Sequence, residues 1–415
     1  MLNVERLMLN DMPLPLILLK PRKEESILRF HPWVFSGAIA KIVLDKDYPY
    51  SEPQEGELVK IADSTGQILA VGHWQIGSIA VRILAFGVDQ LPTTFWHDRI
   101  RAAWQLRQSL GLVRKDNTMF RLVHGEGDFL PGLIVDVYGD TAVLQAHSIG
   151  IHLNRQAIVQ AILEQVPTVK QVYYKSDDTL PHKANIEGEK TGYLVGQAPK
   201  DACWAIENGL SFRIDWLQGQ KTGFFVDQRD NRALLEHYAT GRRVLNMFCY
   251  TGGFSVYALR GGAKHVTSVD VSAKAIELVN KNVQYNFPDT DKHDAYACDA
   301  FDFLDKQAAA QPYDLIILDP PAFAKHRDAI ANALRGYRRL NAKAFEKIAH
   351  GGILFTFSCS QAIDKDMFRQ AVFTAAAQAK RKVRILHQLH QPADHPVNIF
   401  HPEGEYLKGL VLYVE

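Results

Sequence analysis

The chain has 415 residues, more than one hydrophobic core usually serves, so its length predicts two or three domains. Its 47% apolar and 22% charged residues are typical of a globular protein, and its 47 basic residues nearly match its 46 acidic ones. With this balance, the net charge gives no support for nucleic-acid binding, so an RNA partner would need a local basic surface.

The cysteines and the N-terminal segment indicate the compartment. Cys203, Cys249, Cys298 and Cys359 are widely scattered, with no C-x-x-C pair and no histidine spacing typical of zinc, so we expect reduced thiols and no bound metal. The apolar stretch 14–19 is too short and proline-interrupted to span a bilayer, and no cleavage site for a leader follows. We therefore expect a cytoplasmic protein without a membrane partner.

In chain order, the patterns predict three domains in a multi-domain α/β chain. Short strands separated by Gly, Pro and Asp predict a small β-barrel over residues 14–90. A helical period over residues 95–110 begins a second unit, and the strands and helix after it predict a small α+β domain over residues 91–204. Strict alternation of strands and helices from residue 242 onward predicts a parallel, doubly wound sheet in the domain 205–415.

A nucleotide-binding pattern opens this last domain. The predicted strand 243–248 runs into a turn with Gly252 and Gly253, then a helix, and the next strand ends in Asp270, an acid suited to bind both ribose hydroxyls. The turn lacks the glycine patterns that bring backbone to phosphates, which disfavours dinucleotides, ATP and GTP. S-adenosylmethionine has no phosphate and fits, with Asp299 available for its adenine. A turn or helix cap is the alternative role for both acids.

Two further apolar strands end in reactive groups. Residues 315–318 lead into an Asp-Pro-Pro turn at 319–321, and residues 353–357 lead into a Ser-Cys-Ser turn at 358–360. Ligands of open α/β sheets bind beyond the carboxyl ends of parallel strands, so a carboxylate and a thiol there indicate chemistry. A strand stop for the prolines and simple packing for Cys359 are the alternatives.

The thiol favours methylation of a carbon atom. C-5 of cytosine is a poor nucleophile, and its methylation needs temporary addition to C-6, which suits the thiolate of Cys359. A helix beginning near residue 361 or 362 would place its positive end beside this thiol and lower its pKa. An oxygen or nitrogen acceptor would need no such nucleophile.

Basic residues gather after the Asp-Pro-Pro turn and again before the last strands. Asp328 is the one acid within the first group. Tyr337 lies between members of this group, and its ring is suited to stack on a base, as is the ring of Phe323. A solvated face is the alternative for both groups. The first group is Lys325, His326, Arg327, Arg335, Arg338, Arg339 and Lys343, and the second is Lys380, Arg381, Lys382 and Arg384.

Segments spread over nearly the whole chain resemble the motifs of one known family, the bacterial large-subunit ribosomal RNA cytosine-C-5 methyltransferases. HPWVFSG (31–37) is similar to the family's PUA domain, and RLVHGEGDFLPG (121–132) is similar to its central domain. KTGFFVDQR (221–229) is similar to the segment before its catalytic domain, and the turns at 319–321 and 358–360 are similar to its substrate motifs. HPV (395–397) with PEGEYLKG (402–409) is similar to its C-terminal signature.

The resemblance implies an N-terminal PUA-like β-barrel that binds RNA, a central α+β domain and a C-terminal Rossmann-like class I methyltransferase domain. It implies S-adenosylmethionine as cofactor, large-subunit ribosomal RNA as partner, and methylation of C-5 of a flipped cytosine through a covalent Cys359 adduct, with Asp319 holding the base edge. Ala322 stands where many RNA cytosine methyltransferases carry a second cysteine, so the base that removes the C-5 proton is not identified.

Two alternatives stay open: methylation of a guanine nitrogen in ribosomal RNA, and a non-catalytic RNA-binding protein that retains the fold. Monomer and homodimer are also both open. The predicted catalytic residues are Asp319 and Cys359. The predicted cofactor-binding residues are Phe225, Gln228, Phe248, Thr251, Gly252, Gly253, Asp270, Asp299 and Asp319. The predicted RNA-binding residues are Pro320, Phe323, Lys325, Arg335, Tyr337 and Arg338.

Overall fold

The computed structural model describes residues 13–181, 188, 190–199, 203–307, 312–324 and 327–415, which fold into two compact units. Unit 1 comprises Met1–Val113, Phe120–Lys200 and Asp394–Gly404, and unit 2 comprises Arg114–Met119, Asp201–Ala393 and Glu405–Glu415. Two short segments thus belong to a different unit from their neighbours in the chain. The predicted three domains, which are continuous ranges, do not include such returning segments.

The first part of unit 1 is a six-stranded sheet. Its elements are β1 (Leu16–Leu19), α1 (Glu25–Leu28), β2 (Trp33–Phe35), β3 (Ile39–Val43), β4 (Leu58–Ala62), β5 (Ile68–Trp74) and β6 (Ile79–Phe86). The strand order is β2-β6-β5-β4-β1-β3, and β1 is parallel to β4 while the other pairs are antiparallel. Alternate side chains of these strands fill the core, for example Ile17, Leu19, Val59 and Ile61.

The second part of unit 1 is a five-stranded sheet with helices. Its elements are α2 (Phe95–Ser109), β7 (Met119–His124), β8 (Leu133–Tyr138), β9 (Thr141–Ala146), α3 (Ile149–Leu153), α4 (Arg155–Gln165), β10 (Gln171–Lys175) and β11 (Thr191–Val195). The strand order is β11-β10-β9-β8-β7, with β9 and β10 parallel. Helix α2 buries Phe95, Ile100, Ala103, Trp104 and Arg107. The spacing of the last four in the sequence predicted this face, whereas Leu110, which ends the same pattern, is exposed beyond the helix.

A buried ion pair holds the returning segment Asp394–Gly404 in unit 1. The guanidinium of Arg107 is fully buried and bonds both carboxylate oxygens of Asp128, at 2.8 Å for the Nη2–Oδ2 pair. The same Nη2 donates to the backbone carbonyl of Asp394 at 2.7 Å. Because a buried guanidinium needs acceptors for its donors, this carbonyl is part of the core of unit 1.

Unit 2 is a doubly wound α/β unit. It contains a hairpin of β12 (Cys203–Glu207) and β13 (Leu210–Ile214). The remaining elements are α5 (Arg229–Ala239), β14 (Arg243–Met247), α6 (Gly253–Arg260), β15 (His265–Asp270), α7 (Ala273–Asn286), β16 (His293–Ala297), α8 (Ala300–Asp302), β17 (Tyr313–Leu318), α9 (Ile330–Lys347), β18 (Ile348–Ser358), α10 (Lys365–Gln378), β19 (Val383–Leu389) and β20 (Lys408–Val414).

The seven-stranded sheet of unit 2 has the order β16-β15-β14-β17-β18-β20-β19. Strands β14 to β18 pair in parallel, as the alternating pattern predicted, and β20 runs antiparallel to both of its neighbours. The register places Met247 opposite both Val269 and Leu318. The residues that follow these strands therefore emerge at one edge of the sheet.

The central strand β17 is buried on both faces. Ile316 and Leu318 pack into one core cluster, Leu315 and Ile317 pack into the other, and none of the four is exposed. An anchored strand of this kind holds the turn after it in a fixed position, which matters because Asp319 begins that turn. Within the described ranges no helix is long and apolar enough to cross a membrane, and no group of His, Cys, Asp or Glu side chains is arranged to hold a metal ion.

Candidate active site

A cavity of about 300 Å³ lies in unit 2, lined by residues that follow the carboxyl ends of the parallel strands. This is the position that open α/β sheets use for ligands. The cavity brings together most of the residues predicted for the cofactor and for catalysis. Those that line it are Phe225, Gln228, Phe248, Thr251, Gly253, Asp270, Asp299, Asp319 and Cys359, and Pro320, which was predicted to bind RNA, lines it too. The predicted cofactor residue Gly252 is not among the lining residues.

The turn after β14 has an unusual backbone. Phe248, Tyr250 and Gly252 all have left-handed φ angles, of +58°, +46° and +83°. Such angles are unfavourable for residues with a side chain, and they are found at ligand sites held by the surrounding structure. Gly252 precedes α6, and a Cβ there would lie 3.0 Å from Cγ1 of Val279, so this position requires glycine for φ and for space.

Two carboxylates at the cavity are fixed by backbone N–H groups. Asp270 accepts bonds from the backbone of Tyr250 and Ser272, both at 2.9 Å. Asp299 Oδ1 accepts from the backbone of Phe301 at 2.8 Å and of Asp302 at 3.1 Å, which caps α8. The structural roles that the sequence left as alternatives are therefore present, and both acids line the cavity as well.

Asp319 begins the turn after β17, and its carboxyl group is largely removed from solvent. Gln228 Nε2 donates to Asp319 Oδ2 at 3.0 Å, and Asn231 Nδ2 fixes that amide by donating to Gln228 Oε1 at 2.7 Å. Burial, and then the nearby carboxylate of Asp227, raise the pKa of Asp319 to about 7. The carboxyl group can therefore both accept and donate a proton near neutral pH.

The thiol of Cys359 differs from its prediction. Its Sγ lies 4.0 Å from the carbonyl oxygen of Pro320, and burial, followed by the charge of Asp319, raises its pKa to about 11. The expected lowering of this pKa by a helix N-terminus is wrong because α10 begins only at Lys365. Asp364 already caps this helix end by accepting from the backbone of Met367 at 2.7 Å.

The structure also corrects the predicted RNA-binding set. Tyr337 is fully buried, with its ring 4.7 Å from that of Phe323, so the prediction that it stacks on a base is wrong. Phe323 is half-buried against the same core and does not line the cavity. Arg335 and Arg338 are exposed on α9, and Lys325 lies outside the described residues.

Some side chains of the two basic groups are held by contacts within the protein, which their sequences did not indicate. Lys343 pairs with Asp305 at 2.7 Å and with Glu346 at 3.6 Å, so acids other than Asp328 oppose the first run. In the second run, Arg381 donates to backbone carbonyls, including that of Phe345 at 2.7 Å. These contacts make part of each run structural.

Several lining residues were missed as site residues. Asp227, Lys221 and Tyr250 line the cavity, and the Lys221 ammonium lies 5.0 Å above the ring of Phe225 and opposes the rise in the Cys359 pKa. Tyr406 OH donates to Asp227 Oδ2 at 2.6 Å. The available signal was position, since Lys221 and Asp227 lie in the segment 221–229 with the predicted residues Phe225 and Gln228, and Tyr250 lies in the turn after β14 between Phe248 and Thr251.

Residues 121–404 match the S-adenosylmethionine-dependent methyltransferase family, and residues 17–86 match the PUA-like domain. Together with the cavity, this match defines the chain as an S-adenosylmethionine-dependent methyltransferase. The ribosomal RNA large subunit methyltransferase I of Tolumonas auensis is 41% identical over 400 residues, covering 95% of this chain and 98% of that protein. The protein of that name from Erwinia tasmaniensis is 39% identical, covering 97% and 100%. The chain belongs to the ribosomal RNA large subunit methyltransferase I family.

Solved structures share the fold. A Streptococcus mutans protein classed as a methyltransferase superposes with a TM-score of 0.80 at 23% identity, covering 96% of this chain and 99% of its own. A second protein, solved as a complex with SAH, superposes with a TM-score of 0.81 at 24% identity and the same coverage. The fold of this chain is therefore one that these solved structures share.

The residues at the cavity fit S-adenosylmethionine. Thr251 Oγ1 is buried and has no hydrogen-bond partner among the residues that the structure describes, so it is available to a polar group of the cofactor. Asp270 and Asp299 offer acceptors for ribose hydroxyls and the adenine amine, and Phe248 and Tyr250 offer apolar surface. These groups would hold a cofactor that has hydroxyls, an amine and no phosphate.

Proposed function

We propose that the protein methylates C-5 of a cytosine in large-subunit ribosomal RNA through a transient bond between Cys359 and C-6. One observation carries this proposal: a thiol and a carboxyl group follow neighbouring parallel strands and line the cofactor cavity together. Methylation at a nitrogen would have no use for the thiol. The names of the relatives supply the RNA class.

The first step is addition of sulfur to the base. The thiol of Cys359 loses its proton and Sγ bonds to C-6, while the ring electrons move toward N-3. Asp319, with a pKa of about 7, is suited to take up the thiol proton and to pass a proton to N-3. Gln228 and Asn231 hold the carboxyl group in place during this transfer.

The second step is methylation followed by release. S-adenosylmethionine supplies an electrophilic methyl group on a sulfonium, which C-5 accepts. A base then removes the C-5 proton, its electron pair restores the C-5–C-6 double bond, and the bond from C-6 to Cys359 breaks. The proton on N-3 returns through Asp319 to the departing thiolate of Cys359 while the base keeps the C-5 proton, which restores the starting protonation states of Asp319 and Cys359.

We propose that the exposed part of α9 contacts the RNA backbone. Arg335 and Arg338 are exposed there and follow the turn that begins with Asp319, so their charges suit phosphates near the target base. Pro320 lines the cavity and stiffens this turn. Lys325 stays a predicted contact of the same kind.

Labelled S-adenosylmethionine and ribosomal RNA lacking the modification test the proposal. We expect labelled 5-methylcytidine after nucleoside digestion, and a labelled methylguanosine would overturn the assignment. Cys359→Ala should bind S-adenosylhomocysteine normally and transfer no methyl group. Cys203→Ala, which removes a thiol in β12 away from the cavity, is the matched control and should keep full activity.

RNA that carries 5-fluorocytidine gives a second readout. Because C-5 then carries fluorine instead of hydrogen, the base has no proton to remove after methyl transfer. The release step therefore stops, and the covalent complex accumulates. Wild-type protein should form a complex that survives denaturing electrophoresis, and Cys359→Ala should form none.

A further inference from the structure

A buried tyrosine holds both neighbours of the proposed nucleophile. Ser358 Oγ donates to the hydroxyl of Tyr337 at 2.9 Å, and that hydroxyl lies 3.1 Å from Ser360 Oγ. None of the three residues is exposed. Buried hydroxyls are unfavourable unless they are hydrogen-bonded, so a fully paired set in an apolar core fixes one geometry of the turn around Cys359.

The same tyrosine contacts the turn that begins with Asp319. The Phe323 ring packs on the Tyr337 ring, and the backbone N–H of Ala324 donates to Ser360 Oγ at 3.3 Å. A Cβ on Gly336 would lie 3.0 Å from Cδ2 of Phe323, so glycine lets the turn approach α9 this closely. One cluster therefore bridges the turn of Asp319 and the turn of Cys359.

Lys408 fixes the cluster from the last strand. It pairs with Ser358 in the β18–β20 register, is 5% exposed, and donates from Nζ to the carbonyl of Ser360 at 2.6 Å. Burial lowers its pKa to about 8, and the charged or titratable groups that face it are Cys359, Glu405, Asp364 and Lys365. A buried ammonium on this carbonyl restrains the residue that follows the nucleophile.

We propose that Tyr337 and Lys408 are positioning residues that set the placement of the Cys359 sulfur relative to the Asp319 carboxyl group. This inference rests on the proposed cytosine chemistry. Sulfur must reach C-6 from above the ring while the carboxyl group reaches N-3 at the ring edge, and a pyrimidine is rigid. A displacement of about 1 Å between such groups lowers rates by roughly 100-fold.

The rate of complex formation with 5-fluorocytidine RNA tests this inference. Tyr337→Phe keeps the ring on Phe323 and removes only the hydroxyl, and we expect it to slow complex formation and kcat by about 10- to 100-fold. The KM for RNA and the Kd for S-adenosylhomocysteine should stay within about twofold. Ser360→Ala should behave in the same way, and the double variant should be no slower than the slower single variant.

Tyr313→Phe is the matched control because Tyr313 is buried in the same core cluster at the start of β17. It should form the complex at the wild-type rate. Lys408→Met should slow complex formation with 5-fluorocytidine RNA at an unchanged Kd for S-adenosylhomocysteine, and Lys408→Arg, which can still donate to the carbonyl of Ser360, should restore part of the rate. A wild-type rate in Lys408→Met would remove Lys408 from the proposed role.

The outcomes separate the two proposals. If wild type forms no covalent complex, the cytosine mechanism fails and the positioning role falls with it. If wild type forms the complex and both Tyr337→Phe and Ser360→Ala form it equally fast, the positioning role alone is wrong. A loss of cofactor binding that parallels the loss of rate would show a general structural role and would also overturn the inference.

Discussion

The cofactor side and the substrate side of the cavity are built differently. On the cofactor side, Asp270 and Asp299 are held by backbone N–H groups around a turn with left-handed residues. On the substrate side, Asp319 and Cys359 depend on side chains such as Gln228, in surroundings that raise both pKa values. In the proposed function, cofactor recognition thus depends on backbone geometry, whereas the reactivity of Asp319 and Cys359 depends on their desolvation.

The largest expected effect separates the two sides at Asp319. Asp319→Asn keeps the shape but cannot pass a proton, so kcat should fall by about 10²- to 10⁴-fold while the Kd for S-adenosylhomocysteine changes little. Methyl transfer and calorimetry measure the two quantities. Asp366→Asn, an exposed acid in the first turn of α10, is the control. An equal loss of cofactor binding would move Asp319 to the cofactor side.

The raised pKa of Asp319 predicts a pH effect on stability. Between its ordinary pKa of about 4 and its folded value of about 7, the folded protein binds more protons than the unfolded chain. Asp319 should therefore make the free energy of unfolding fall as pH rises through this window, by up to about 1.4 kcal/mol per pH unit. Denaturant titrations at several pH values should show a shallower dependence in Asp319→Asn, and identical slopes would contradict the desolvated environment.

Asp270 tests the cofactor side. Asp270→Ala removes the acceptor for two backbone N–H groups and for the cofactor hydroxyls, so affinity for S-adenosylhomocysteine should fall by about 10- to 30-fold. The kcat at saturating cofactor should fall less than in Asp319→Asn. Asp291→Ala, an exposed acid before β16, should change neither quantity. Calorimetry that finds unchanged affinity would remove Asp270 from the site.

The smallest expected effect concerns the backbone itself. Gly252→Ala places a Cβ on a left-handed residue and against Val279, so it should lower the free energy of unfolding by about 1 kcal/mol or slightly more. Gly241→Ala has a similar φ of +72° with open space around it, so it isolates the backbone term and should destabilise less. Equal losses would show that contact with Val279 is unimportant.

The sequence predicted the parallel sheet of unit 2 better than the surroundings of Cys359 and Tyr337. The glycine turn and the acid at a strand end are local sequence patterns, so the parallel sheet and the edge where its strands end could be predicted from them. The pKa of Cys359 depends on which distant groups bury it, and no local pattern contains that information. The assumed helix start near residue 361 also overlooked Asp364, a capping residue that places the start of α10 later.

The error at Tyr337 was avoidable in part. On α9 the buried positions Ala333, Tyr337, Leu340 and Ala344 recur at three or four residues, which is the period of a core-facing stripe. The position of Tyr337 among basic residues indicated RNA binding, but its spacing from the apolar residues of α9 placed it on the same buried face. The hydroxyl contacts with Ser358 could not be predicted, because they depend on how α9 packs against β18.

The return of Asp394–Gly404 to unit 1 constrains how the chain can be made and cut. Arg107 finds its carbonyl acceptor only after residue 394 has been synthesised, so the N-terminal half cannot complete its core while it leaves the ribosome. A fragment that ends at residue 200 lacks this acceptor and leaves a buried donor unpaired. Neither unit is a continuous piece, so separating the two units at any single peptide bond removes a piece of one of them.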